Sequence, residues 1–117
     1  MKERPLSITL ISWLFIISGS IALVSALLPI IGATPAQIVA EFKTHWMVHL
    51  LRLASIVSGL FMLRGHNWAR WLLVVWMAIH IVIGALHSWM QLLLHALIFA
   101  VILFFLFRPG ANGFFAR

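Results

Sequence analysis

Four long apolar runs, separated by brief polar joints, dominate the pattern of this chain: about Leu6 to Leu28, Trp46 to Leu63, Trp68 to Leu86 and Trp89 to Phe107. Each is long enough to cross a hydrocarbon core of roughly 30 Å at about 1.5 Å per residue. The runs are continuous, not alternating, which excludes the lipid-out, lumen-in pattern of a membrane barrel. In lipid only helices and closed barrels satisfy their own backbone, so all four are predicted as helices. The expected fold is all-α: a four-helix transmembrane bundle in one domain over residues 1–117.

The joints support these limits. Pro5 suits the first turn of a helix, where its missing N–H costs nothing. Thr44 is a candidate cap for the second span, and Asn67 for the third after a Gly65 stop. Ser88 with Gln91 has capping-box spacing for the fourth span, which Pro109 and Gly110 are expected to end. Joints this short make neighbouring spans antiparallel. The longer connection, PIIGATPAQIVAEFKT, holds another helix start at Thr34, Pro35 and Gln37. It predicts a short interfacial helix from Pro35 to Phe42.

Composition fits this solvent. The 117 residues are 64% hydrophobic and only 9% charged, where a soluble domain needs about a quarter charged. A net charge of +6 raises the question of nucleic acid. The basic residues, however, are scattered singly at span ends, whereas displacing counterions from a polyanion needs a cluster on one face. Lys2, Arg4, Arg64, Arg70, Arg108 and Arg117 fall on one side and only Lys43 on the other, so both termini are expected in the cytoplasm. Trp46 and Trp89 then mark the outer boundary and Trp68 and Trp71 the inner one. Read as a signal peptide, the first span would end at VSA, residues 24 to 26. Its apolar run exceeds the usual length of about 7–15 residues, so an uncleaved anchor is expected. With no cysteine, disulfides, thiolate metal sites and thiol nucleophiles are excluded.

The spans are not wholly apolar. In HWMVHLLRLASIVSGLFML, residues 45 to 63, His45, His49 and Arg52 trace one helical face, as do His80, Gly84 and His87 on the third span and Gln91 and His95 on the fourth. Counting inward from the outer boundary puts His49 about 6 Å down and Arg52, His80 and His95 about 10 Å down. An ionisable group facing lipid is costly, so a convergent site is expected from His49, Arg52, His80 and His95, with His45, His87 and Gln91 at its edge. The bland alternatives are a snorkelling Arg52 and histidines each bonded to a backbone carbonyl or serine.

Candidate ligands differ in what they require. A b-type haem needs two imidazoles across a shaped apolar gap, and His80 or His49 opposite His95 meets the first condition. Zinc or copper takes histidines but wants a carboxylate or carbonyl behind them; the acids are Glu3 and Glu41. An anion suits Arg52, and a quinone headgroup also uses histidine. No carboxylate lies within the spans, which disfavours carboxylate-driven hydrolysis, a Ser-His-Asp triad and carboxylate-coupled exchange.

Serines and glycines are assigned to packing: Ser18, Ala22 and Ala26 in the first span, Ser55 with Gly59 in the second. Trp13 and Trp76 are expected as core fillers. FFLF at 104 to 107 and GFF at 113 to 115 are expected as interface anchors. The stretches RPLSITLISWLFIISG, GHNWARWLLVVWMAIH and LFRPGANGFF resemble those of small bacterial inner-membrane proteins with four spans. That resemblance implies a bacterial plasma membrane and carries over no catalytic or ligand residue. The expected function is a non-enzymatic binding or accessory subunit, with membrane lipid and a second copy or another membrane protein as partners. The alternatives are haem- or quinone-linked electron transfer and an oligomeric channel or carrier.

Overall fold

Pro5 opens the first helix from an extended conformation, and from there the computed structural model describes residues 3–115 as five α-helices with no strand among them. They are α1 (Leu6–Leu27), α2 (Pro35–Leu63), α3 (Asn67–His87), α4 (Trp89–Phe107) and α5 (Pro109–Phe115), with a 3-10 turn at Leu28–Ile30 after α1. Helices α1 to α4 are long and apolar enough to cross a membrane, which makes this a small multi-pass membrane protein. Their outward faces agree: Leu10, Leu14, Ile17 and Ile21 of α1 are all exposed, as lipid contact allows. Lys2 and Arg117, both used in the charge argument, lie outside the described residues.

Helix α2 starts ten residues earlier than Thr44 would have it. Thr34 accepts from the Gln37 backbone and Gln37 bonds back to the Thr34 N–H, a complete capping box. The expected interfacial helix therefore exists but runs on into the span across a kink at His45, where φ is −117° and ψ is 17°. Thr44 caps nothing, because the backbone donors it would have served are already inside a helix. Gly32 and Gly65 take φ of 83° and 82°, the left-handed turns that only glycine enters cheaply.

Helix α1 packs most closely on α2, and the contacts climb one helix as they descend the other. Arg4 donates to the Leu63 carbonyl at 2.9 Å, and Ser55 to the Phe15 carbonyl at 3.0 Å. Between these points Gly59 lies so close that a Cβ there would stand 2.6 Å from the Ser12 carbonyl oxygen. The small residues at the interface are Ser12 and Gly19 facing Ser55, Ser58 and Gly59, all buried. Ser18, expected there, is exposed, one helical step off the contact face.

Helix α3 packs on α2 and α4, and a thin α1–α4 contact completes the ring. The buried core (Ile8, Phe15, Met62, Leu73, Leu106 and neighbours) sits at the end where α1 begins and α2 turns into α3. Toward the opposite, distal end the bundle loosens. Beyond Met77 in α3 the next buried residue is Gly84, and in α4 nothing before Ile102 is buried. Trp13 belongs to the outward face, not the core, at 48% exposed.

The packed end is closed by Arg70, read from the sequence only as one of the basic residues at span ends. Arg70 is buried, and Nη1 donates to the Leu106 carbonyl at 3.1 Å and to Asn112 Oδ1 at 2.7 Å, while Nη2 donates to Asn67 Oδ1 at 2.6 Å. Its guanidinium carbon stands 4.4 Å from the Phe107 ring centre and 4.8 Å from that of Phe115. Asn112 in turn donates to the Phe107 carbonyl at 2.8 Å. Two orphan carbonyls at the C-terminus of α4 are thus satisfied where the helix dipole favours a cation. Asn67, occupied by Arg70, does not cap α3; His66 stands at that position without a side-chain bond. Arg108 is extended, as a residue before proline must be, so α4 ends at Phe107 as expected, and Pro109 then starts α5. Phe114 and Phe115 turn into the core and are not interface anchors.

A Gly59→Ala variant tests the α1–α2 seam. Helix propensity would gain about 1 kcal/mol, but the methyl meets a backbone carbonyl that cannot swing aside. The clash wins, with a net loss of about 1–3 kcal/mol in detergent unfolding. Arg70→Lys keeps the charge but cannot fork across three acceptors. Its expected loss is about 1–3 kcal/mol, whereas Arg64→Lys at the exposed turn should stay within about 0.5 kcal/mol by the same measurement.

Candidate functional site

A histidine inside an apolar helix has one partner always within reach, the carbonyl one turn back. His80 uses it through Nδ1 to Trp76 at 3.0 Å, His87 to Ile83 at 2.8 Å and His95 to Gln91 at 2.7 Å. A carbonyl oxygen only accepts, so in each ring Nδ1 carries the hydrogen and the neutral ring keeps a bare lone pair on Nε2. This is the bond expected of an ordinary packed histidine, and also the one that prepares Nε2 as an acceptor or ligand.

Position separates these three. His87 is exposed near the end of α3. His80 and His95 are half-buried and line one pocket of about 170 Å³ with Phe15, Trp76, Met77, Ile98 and Phe99. Each wall has a local cause. Trp76 is fixed by donation from Nε1 to the Leu51 carbonyl of α2 at 2.6 Å. It stacks on the His80 ring at 3.8 Å between centres, and Phe15 meets it edge-on at 5.3 Å. Ser88 accepts from the Gln91 backbone at 3.1 Å and starts α4, setting the turn that holds His95. Helix α4 meets α3 at Gly84, where a Cβ would stand 3.4 Å from His95 Nδ1, an ordinary contact.

His49 and Arg52 lie elsewhere. His49 is buried, its ring tilted on Phe42, and it borders an apolar groove of about 440 Å³ with Leu23, Leu27, Trp46, Leu50 and Leu53. Glu41 reaches toward it from the N-terminal arm of α2: Oε1 is 3.1 Å from His45 Nδ1 and 3.6 Å from His49 Nε2. The second distance is beyond a hydrogen bond, and both His49 nitrogens are buried without a partner. Arg52 is half-buried, and the guanidinium bonds among the described residues belong to Arg4 and Arg70, not to it. Of the expected residues, then, the fold brings His80 and His95 together, places Gln91 behind His95, and puts His49 with His45 on another surface. Sequence reasoning counted Glu41 among the acids but did not pair it with these histidines, although its spacing of four and eight residues from His45 and His49 was there to read.

These geometries discriminate between ligands. Among the described residues no group of three or more His, Cys, Asp or Glu is arranged to hold a metal ion. The His80–His95 pocket does not fit haem: about 150 Å³ takes one benzene-sized ring, and a porphyrin is several such rings across. No family model, curated protein or solved structure matches the chain.

Gly84 is the residue to perturb. Gly84→Ala adds only an ordinary contact and is expected to fold with His95 in place. Gly84→Leu is expected to drive the His95 ring out of the pocket, seen as a change in its ring NMR resonances with those of His66 unmoved. Unmoved His95 resonances would mean that α3 and α4 do not meet there.

Proposed function

We propose that this protein is a non-enzymatic binding or accessory subunit of a bacterial inner membrane, an antiparallel bundle with both termini in the cytoplasm. The basic residues at Arg4, Arg64 and Arg108, against Lys43 alone at the distal end, support that orientation. The ligand-binding residues are His80 and His95, with His49 and Arg52 forming a separate polar face in the same half. Membrane lipid is its solvent, and a second copy or a larger membrane protein is its partner, since so small a bundle leaves most of each span exposed.

The observation that carries this reading is the pairing of His80 and His95, from different helices, on one pocket with both Nδ1 atoms already committed. Neither Nε2 is bonded among the described residues, so two rings able to accept stand in an otherwise apolar wall, the pattern of an orienting contact in a small-molecule pocket. No carboxylate lines it, which leaves the two imidazoles as the proton-handling groups among its lining residues. Electron transfer through haem loses support for want of room.

The test is extraction of the protein from its own membranes into polymer-bounded nanodiscs, followed by native mass spectrometry. A small molecule retained by the wild type and lost in a His80→Ala, His95→Ala double variant is the expected result. Retention that ignores both histidines, or no retained molecule, would refute a binding role for this pocket.

A further inference from the structure

From the state of the two rings we infer that the pocket recognises a hydroxylated aromatic ring, a phenol or hydroquinone head of a lipid-soluble amphiphile, as a hydrogen donor. The inference rests on the binding role proposed above and names its ligand class.

Three features select that class. The volume, about 170 Å³, is that of a cavity able to hold one benzene-sized ring, for which about 150 Å³ suffices. The walls supply the right faces: Phe15, Trp76 and Phe99 are aromatic, and Met77 and Ile98 are aliphatic. The polar chemistry is one-sided. With Nδ1 of His80 and His95 donating to Trp76 and Gln91, each ring offers only the lone pair of Nε2, on its edge away from that bond. Two acceptors cannot bond to each other, so a partner must bring the hydrogens.

The same argument rejects the neighbours of that class. The oxidised quinone presents carbonyl oxygens, which are acceptors, to two more acceptors and gains no bond. An ammonium group would donate, but no carboxylate lines the pocket to offset its desolvation. A plain alkyl chain fills the space and leaves both nitrogens unpaired. Entry is from hydrocarbon: His80 and His95 are half-buried and Ile98, at the rim, is 55% exposed. A ring carried on an apolar tail therefore arrives already desolvated.

The test uses the full chain in nanodiscs with ¹⁵N-labelled histidine. The probes are 4-butylphenol and its methyl ether, 4-butylanisole, which keeps the shape and removes the donor. Butylhydroquinone and butylbenzoquinone form a second pair. Both hydroxylated probes should bind saturably; butylhydroquinone, with two O–H groups, should shift two Nε2 resonances, those absent from His80→Phe and His95→Phe, and 4-butylphenol, with one, at least one of them. The ether and the quinone should bind at least about tenfold more weakly, as one buried hydrogen bond implies. An Ile98→Trp variant, which blocks the rim and leaves both histidines intact, should abolish the shifts. Equal binding of phenol and ether would overturn the inference, as would shifts confined to other histidines or surviving the Ile98 change. So would inert phenols in a protein that still retains a native molecule through His80 and His95, an outcome that leaves the binding role standing and removes only the ligand class.

Discussion

Hydrocarbon offers no hydrogen-bond partner, and that constraint decides where six polar side chains of this protein find theirs. Water would let Arg70, Ser55, Trp76 and three histidines settle their bonds independently. Without it, each takes a main-chain carbonyl: Leu106, Phe15, Leu51, Trp76, Ile83 and Gln91 respectively. The consequences differ by residue. For Ser55 and Trp76 the bond joins two helices and fixes their register. For the histidines it stays within one helix and instead fixes which ring nitrogen holds the hydrogen. A rule about burial thereby becomes a rule about chemistry, because the tautomer decides what the free edge of the ring can recognise.

Arg70 shows the same constraint acting on a charge. A guanidinium among phenylalanines would be very costly alone, and among the described residues no carboxylate appears with its partners. It is held instead by three oxygen atoms, two aromatic faces and the negative end of α4. Asn112 completes the arrangement by accepting from Arg70 and donating to Phe107, which is what folds α5 back under the bundle. The packed end is thus built round a cation, and the open end round groups with fewer partners. His49, buried and unbonded beside a carboxylate 3.6 Å away, is the clearest of these.

The candidate site was legible in part, and the division has a physical cause. Helical spacing puts residues on one face of one helix, so the pairs His45–His49 and Gln91–His95 could be read directly. Depth could be counted as well, since rise per residue is fixed. What spacing leaves open is the rotation of each helix about its axis relative to its neighbours. Four residues at similar depth were therefore expected to meet, whereas packing at Gly59 turns α2 toward α1 and packing at Gly84 turns α4 toward α3. Glu41 was passed over for a related reason: the expected interfacial helix stopped at Phe42, and only a helix continuous through His45 sets Glu41 one turn before that residue.

By itself the sequence determined the solvent, the number of spans and nearly all their limits, because continuous apolar runs of fixed length have one stable backbone in lipid. It also determined the helix starts at Thr34 and Ser88 and the turn at Gly65, which depend on neighbours a few residues away. Tertiary structure alone decided the burial of Arg70, the return of Phe114 and Phe115 into the core, and the pairing of His80 with His95. Those depend on contacts between residues far apart in the chain: Arg70 is buried because Asn112, Leu106 and two phenylalanines converge on it, and no local pattern encodes that convergence.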